Sequence, residues 1–350
     1  MTKNVDEIYM HRCIELAKNG LGTTYPNPLV GAVIVYDHKI IGEGWHKRSG
    51  EAHAEINAIS SVNDQSLLKE STLYVSLEPC SHHGKTPPCA LKIIELEFKK
   101  VVIGTLDPTG KVNGKGVELI KNSGAEVIIG ILEKECKELN KRFLTYHTKK
   151  RPYIILKWAE TLNKKMDNGV ERKHPFWISN PFSIQKTHLL RSQEQSILVG
   201  KNTALIDNPS LTTRTIYGKN PIRLLIDKDL ETPSSFNIFN QDVVTYVFNK
   251  KMTSSEEGIN YFKINFDTDI LPQIMKILYD KNIQSIIVEG GRQTLQHFID
   301  SELWDEAIII SSQIIVKNGT KSPNLFGEIT EQEYIGNNLI SYIRNISSIL

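Results

Sequence analysis

The sequence predicts two consecutive α/β domains, on three observations. Its 350 residues exceed what one ordinary hydrophobic core organises. Short apolar runs of strand length alternate with helical periodicity along the chain. That alternation breaks at Thr148-Lys149-Lys150-Arg151-Pro152 and then starts afresh. The expected domains are residues 1–147 and 148–350, with Lys149-Lys150-Arg151 read as a solvated connector.

In the first half, residues 6–18 read as a helix with Cys13, Ile14 and Ala17 on one face, stopped by Gly20. Residues 29–36 form an apolar strand, and Asp37-His38 turns it into a second strand over 40–45. A short helix over 53–60 follows. The strand at 73–77 runs directly into Glu78-Pro79-Cys80. The next helix, 88–96, begins on Pro88, where a missing N–H costs nothing. Strands at 101–106 and 127–131 flank a helix over 117–122. An amphipathic helix over 132–146, containing Cys136, closes this half.

The second half shows strands at 153–159, 196–199, 222–227, 243–249, 261–265, 285–289 and 306–316. Helical patterns lie between several of them, at 184–191, 269–279 and 293–299. No fixed-period repeat or low-complexity tract is present, which sets aside solenoid and disordered architectures.

Composition narrows the function classes. Forty-two Lys and Arg against forty Asp and Glu leave a net charge of +2, without the basic excess of a nucleic-acid binder. No apolar stretch approaches the roughly 18 residues of a membrane-spanning helix, and the amino terminus lacks a signal-peptide core. Four cysteines in a chain this long are not a disulfide framework, so a reduced, cytoplasmic protein is expected. Cys13 and Cys136 read as core thiols. Cys80 and Cys89 require another account.

His53-Ala54-Glu55 opens one predicted helix, while Pro79-Cys80 and Pro88-Cys89 bracket the start of another. Each piece alone is ordinary, because helix surfaces carry His–Glu pairs and cores carry thiols. Together they offer three N/S ligands and leave a fourth position to water, as a catalytic zinc requires. Such a metal lowers the pKa of bound water to about 7. Glu55 is then free to carry a proton from that water to a leaving amine. H-x-E followed by P-C…C is the zinc nucleobase-deaminase signature. Two other readings compete. A closed structural site would add His82 or His83 as fourth ligand and leave Glu55 without a task. A deaminase of RNA or DNA typically spaces its cysteines C-x-x-C, whereas eight residues separate Cys80 from Cys89 here.

That spacing resembles a known family. Pro26-Asn27-Pro28 with Val30-Gly31, Gly44-Trp45-His46, His53-Ala54-Glu55, and Leu77-Glu78-Pro79-Cys80 through Cys89 are similar to the RibD family, the bifunctional deaminase–reductases of riboflavin biosynthesis. Asp107-Pro108 matches as well, with Thr109 where the family usually has Asn. The resemblance implies a cytidine-deaminase-like α/β/α domain acting on 2,5-diamino-6-ribosylamino-4(3H)-pyrimidinone 5′-phosphate. It places one Zn2+ on His53, Cys80 and Cys89, makes Glu55 the proton carrier, and turns Asn27, His46 and Lys85 toward the substrate. The Asn27 amide suits a base or ribose edge, and His46 and Lys85 suit a phosphate.

From the residues alone, the second half yields one signal, a buried strand ending in Gly290-Gly291 before a helix. Amides at such a turn cradle phosphates, and an ordinary tight turn also explains the pair. The resemblance continues through Leu156-Lys157, Trp177-Ile178-Ser179, Ile197-Leu198-Val199-Gly200, Asp207-Asn208-Pro209-Ser210-Leu211, Ile226-Asp227 and Val288-Glu289-Gly290-Gly291. It implies a dihydrofolate-reductase-like α/β domain that transfers hydride to C1′ of the ring-opened ribose. Trp177, Thr203, Asp207, Gly290 and Gly291 would contact NADPH, and Arg191, Leu211, Arg214 and Glu289 the substrate. Two arginines suit a ribose phosphate, which guanidinium binds as a fork.

One segment departs from the family. Thr161-Leu162-Asn163-Lys164 stands where the family usually reads close to Ser-Leu-Asp-Gly. Lysine for glycine adds a Cβ at a position expected to need positive φ. This leaves open an active deaminase joined to an impaired reductase. The implied partner is a small pyrimidine ribose phosphate, with no nucleic acid and no membrane, and the implied assembly is a homo-oligomer, dimer or tetramer.

Overall fold

A computed structural model of the chain describes residues 5–81, 87–109, 114–170 and 176–348. It divides into two compact units, Met1–Lys150 and Arg151–Leu350. Among the described residues, no helix is long and apolar enough to cross a membrane.

The first unit is built on a sheet ordered β2-β1-β3-β4-β5. Strands β1 (Gly31–Tyr36) and β2 (Lys39–Trp45) form a hairpin turned by Asp37 and His38, both with positive φ. Strand β3 (Thr72–Leu77) pairs antiparallel with β1, while β4 (Lys100–Thr105) and β5 (Glu126–Ile129) continue from it in parallel. Alternate residues of each strand feed opposite cores. Ala32, Ile34, Val101 and Ile103 meet helices α2 (Ala54–Ser60), α3 (Cys89–Glu95) and α4 (Lys115–Asn122). Val33, Val35 and Val102 meet Met10 and Cys13 of α1 (Val5–Lys18) and Cys136 of α5 (Glu133–Leu139). The result is an α/β/α sandwich. Gly44 lets α2 lie against β2, since a Cβ there would stand 2.3 Å from the Ala58 nitrogen.

The helix expected over 132–146 is in fact two, α5 and α6 (Lys141–Lys149). Asn140 breaks it at φ −101°, because its buried amide is committed elsewhere. Its Oδ1 accepts from Leu29 N and its Nδ2 donates to Leu29 O, each at 2.8 Å. This cross-link pins the Pro26-Asn27-Pro28 segment.

In the second unit the sheet order is β10-β11-β9-β8-β7-β12-β6-β13-β15-β14. From β11 (Ile259–Lys263) through β9 (Thr245–Asn249), β8 (Ile222–Ile226), β7 (Ser196–Gly200), β12 (Ser285–Val288) and β6 (Tyr153–Glu160) to β13 (Glu306–Ser311) the strands are parallel. Antiparallel strands β10 (Ser254–Glu256), β15 (Asn338–Arg344) and β14 (Glu328–Ile335) finish the two edges. Helices α9 (Ile270–Asp280) and α10 (Arg292–Asp300) cover the face bearing Leu156, Leu198, Ile286 and Val288. Ile197, Val199, Leu225 and Ile287 face the other way, toward Leu190 of α7 (Pro181–Gln193) and Ala204 of α8 (Lys201–Asp207). From β6 the chain skips a place to β7, works outward, and returns with β12 into the gap. Strand order therefore reverses at β7, β12 and β6, the point where open parallel sheets bind ligands beyond their carboxyl ends.

Three expectations change here. The strand read over 306–316 ends at Ser311, and the chain then leaves the sheet to pair with the loop after β6, through Leu162 N to Ile314 O and Met166 N to Thr320 O, both 2.8 Å. The β14–β15 hairpin has no counterpart among the strands expected from sequence, because β14 is exposed along most of its length and carries no apolar alternation. Arg151 is not a solvated connector: its guanidinium makes a two-pronged pair with Asp305 at 2.6 and 2.8 Å, with 12% of the side chain exposed.

Candidate active sites

Helix starts and one strand end assemble the first site. His53 is the N-cap of α2, Cys89 is the first residue of α3, and Cys80 lies three residues beyond β3. His53 Nδ1 is 3.5 Å from Cys80 Sγ and 3.3 Å from Cys89 Sγ, and all three donor atoms lie within 4.8 Å of one another. Tetrahedral zinc with ordinary Zn–N and Zn–S bonds needs N···S edges of about 3.6 Å, so this donor set fits the ion. The Cys89 backbone N–H donates to Cys80 Sγ at 3.3 Å and favours its thiolate. The Cys89 thiol and His53 hold Cys80 down at about 4 against the effect of burial, while the same contact pushes Cys89 up.

Glu55 stands beside this triangle, 3% exposed. Burial, reinforced by Cys80, raises its carboxyl to about 7, the range in which a group both takes and returns a proton at neutral pH. His46 is 2% exposed, and its ring lies edge-on to His53 at 5.3 Å between centroids. Its Nδ1 donates to Ala52 O at 3.1 Å, so Nε2 is left to accept from Asn27 Nδ2 at 3.0 Å. Burial also lowers its pKa. In this arrangement the His46 ring is neutral and orients the Asn27 amide. Lys85, like His82 and His83, lies outside the described residues.

Sequence reasoning missed Glu78. This carboxylate, 4% exposed, accepts from the backbone N–H of Asp107, Gly114, Gly116 and Val117 at 3.0–3.3 Å. It thus ties the strand that presents Cys80 to the start of α4. The signal available was its place between an apolar strand and Pro79-Cys80, where a charged residue is out of pattern.

The second site lies at the carboxyl ends of β7, β12 and β6. Glu289 receives Arg191 Nε at 3.2 Å and Arg191 Nη2 at 2.7 Å, with Lys157 Nζ at 4.0 Å. Burial alone would raise Glu289, but Arg191 and Lys157 outweigh it and hold the carboxyl at about 2. Lys157 is a second residue that sequence reasoning did not place in a site; burial lowers its pKa against the pull of Glu289. Arg191 Nη1 also donates to Thr212 O at 3.2 Å, and Arg214 Nη1 to Thr212 Oγ1 at 3.2 Å, so both arginines share one turn. Leu211 is 2% exposed with φ +54°, its side chain in the core beside Ile197 and Ile238, which leaves only its backbone for a ligand.

Gly200 and Gly291 are the N-caps of α8 and α10, side by side because β7 and β12 pair. A Cβ on Gly291 would come within 3.2 Å of Thr203 Oγ1, and one on Gly290 within 2.9 Å of Thr294 Cβ. Glycine at these two helix starts thus leaves room for the Thr203 and Thr294 side chains and brings the two amino ends together. Trp177 is 61% exposed, and Asp207 ends α8. Along the same sheet edge, beyond β8, β9 and β11, Lys228, Lys250, Lys263 and Gln273 line a cavity of about 570 Å³.

The departing loop holds together by its own chemistry. Lys164 does adopt the positive φ expected there, +59°. Its Nζ donates to Glu160 Oε1 at 2.5 Å, and the Glu160 carboxylate, 2% exposed, also accepts from Ser311 Oγ and Trp158 Nε1. Asn163 donates through Nδ2 to Val316 O at 2.7 Å and accepts from Val316 N and Thr161 Oγ1, a pattern an aspartate cannot reproduce.

Comparison with known proteins covers nearly the whole chain. Residues 3–105 match the cytidine and deoxycytidylate deaminase zinc-binding region, and residues 152–337 match the RibD C-terminal domain. A riboflavin biosynthesis protein RibD of Aquifex aeolicus is 39% identical over 326 residues, covering 91% of this chain and 90% of that protein. The Escherichia coli protein of the same name is 36% identical over 328 residues, covering 87% and 86%. Among solved structures, the diaminohydroxyphosphoribosylaminopyrimidine deaminase/5-amino-6-(5-phosphoribosylamino)uracil reductase of Thermotoga maritima superposes with a TM-score of 0.89 at 37% identity, over 97% of this chain and 99% of that one.

Proposed function

The chain belongs to the RibD family of riboflavin biosynthesis proteins, and from that premise we propose that its two sites act in turn on one pyrimidine ribose phosphate. The chain is a bifunctional deaminase and reductase, with a zinc-binding first domain and an NADPH-dependent second domain. The first substrate is 2,5-diamino-6-ribosylamino-4(3H)-pyrimidinone 5′-phosphate. Water replaces its exocyclic amine, which leaves as ammonia. The ribosyl group of the resulting uracil is then reduced to ribityl.

The observation that carries this reading is a buried carboxyl, Glu55, beside a histidine–dithiol triangle of zinc dimensions. His53, Cys80 and Cys89 hold the zinc, which when bound supplies hydroxide at neutral pH. Glu55 takes the water proton and returns it to the departing nitrogen. Asn27, aimed by His46, meets a polar edge of the substrate. Within the second site, Arg191 and Arg214 receive the phosphate end, and Glu289 keeps Arg191 and Lys157 in place. NADPH when bound supplies the hydride, and the protein's task is to hold donor and acceptor carbons in line. The paired helix starts at Gly200 and Gly291 suit its pyrophosphate, with Trp177, Thr203, Asp207 and Gly290 around it. The lysine-lined cavity suits the additional phosphate of NADPH over NADH.

The unbridged Cys80 and Cys89, needed as free sulfur ligands, favour a reducing, cytoplasmic setting. Exposed Ile329 and Tyr334 on edge strand β14 favour a homo-oligomer, which light scattering tests directly. The central experiment follows ammonia release and NADPH absorbance with the full chain. One ammonia per substrate is expected first, then one NADPH per deaminated product. Glu55→Gln removes the first signal and spares the second. NADPH left unconsumed by authentic deaminated substrate would refute the reductase assignment.

A further inference from the structure

The residue that holds the Thr212–Thr215 turn is a histidine with no part in the chemistry above. His188 sits on α7 one helical turn before Arg191 and is 3% exposed. Its Nδ1 accepts two backbone N–H groups, from Arg214 at 2.8 Å and from Thr215 at 3.1 Å. A nitrogen that accepts both cannot carry a proton, so the ring is neutral with its hydrogen on Nε2. The 14 residues between α8 and β8 contain no helix or strand, and the turn bearing Arg214 depends on side chains for its shape. Arg191 holds Thr212 O, Asn220 holds Thr213, and His188 holds the two amides that follow.

We propose that His188 is a positioning residue of the reductase site: its unprotonated Nδ1 fixes the backbone of Arg214 and Thr215 and so aims the Arg214 guanidinium at the substrate phosphate. The inference rests on the reading that Arg214 meets that phosphate. The charges facing the imidazole agree with it. Burial lowers its pKa most, followed by Arg191 on its own helix and Arg214 on the turn; Lys157 on β6 adds to this and Glu289 beyond β12 opposes it, for a value of about 4. The ring thus keeps its acceptor at every physiological pH.

The test uses the full-length enzyme and the deaminated phosphorylated substrate, with NADPH oxidation as readout. His188→Ala raises the substrate KM about tenfold or more, as expected when one guanidinium no longer points at the phosphate, with the KM for NADPH unchanged. His188→Asn puts an amide oxygen near the position of Nδ1 and restores most of the affinity. Arg214→Ala raises the same KM, and the double variant is no worse than Arg214→Ala alone. With the dephosphorylated substrate, the effect of His188→Ala disappears. An unchanged KM in His188→Ala, strictly additive effects, or an equal loss on the dephosphorylated substrate each overturns the proposal. If Arg214→Ala itself leaves KM unchanged, the phosphate reading fails first and visibly. Should His188→Ala not fold, the ratio of wild-type to His188→Asn KM against pH decides, since protonation of the substrate phosphate affects both alike: the ratio rises below about pH 5, where the imidazole gains its proton. A ratio that stays constant down to pH 4 would then overturn the idea.

Discussion

Replacing Lys164 by glycine, the residue the family usually carries, is expected to weaken this protein, and the structure says by how much. Lys164 holds φ at +59°. Relief of that strain, net of glycine's greater freedom when unfolded, favours the variant by about 0.5–1 kcal/mol. Against it stands the contact with Glu160. A hydrogen bond to a charged group contributes about 1.5–3 kcal/mol, and the lower end applies because 69% of the Lys164 side chain is exposed and screened. The carboxylate left behind is 2% exposed and keeps only Ser311 and Trp158 as donors, which costs roughly 1 kcal/mol more. Lys164→Gly should therefore lose about 1–2 kcal/mol, a fall of roughly 2–8 °C in the melting of a 200-residue unit. Trp158, 3% exposed and bonded to Glu160, reports the transition by fluorescence. In a Glu160→Gln background the sign reverses, since no charge is orphaned and only the strain relief remains. The same sign in both backgrounds would refute the reasoning, and with it the view that the buried Glu160 carboxylate is what compensates lysine at this turn.

Chelation, or Cys80→Ser, should abolish ammonia release while NADPH oxidation on deaminated substrate persists, measured side by side on one preparation. Glu55→Gln should retain stoichiometric zinc by metal analysis yet lose about 10²–10⁴ in deamination rate. Glu289 titrates at about 2 when folded against an ordinary 4.5, so its stabilisation is full above 4.5 and disappears as pH falls from there toward 2. That depression corresponds to roughly 3 kcal/mol, and Glu289→Gln should flatten the acid limb of a urea-stability profile in this window. Lys263→Ala should raise the KM for NADPH severalfold and leave the KM for NADH unchanged, which steady-state kinetics will show.

The zinc site was legible because its chemistry is local. His53-x-Glu55 and the two proline–cysteine pairs each sit at an element boundary that sequence reads well. Residues that act through long-range contacts were not legible. Nothing near Asn140 announces a bond to Leu29, 111 positions away, and this bond splits a helix whose apolar pattern runs on unbroken. His46 illustrates the same limit, since its neutrality depends on Ala52 O and Asn27, which only folding brings to its two nitrogens. In the second domain, Lys157 and Glu289 become neighbours because β6 and β12 pair, a relation between strands far apart in the chain. The positive φ at Lys164 was readable, but its compensation by Glu160 was not, because a buried glutamate at a strand end looks like an exposed one.

Arg151 has a practical implication for anyone dividing the protein. Its guanidinium closes on Asp305, whose carboxylate also takes the Ile154 amide and whose carbonyl takes Asn345 N. The opening residue of the reductase half is thus riveted to a corner near its far end. A recombinant fragment begun even one position later would leave that aspartate buried without its cation, so a cut for separate expression belongs on the amino side of Arg151.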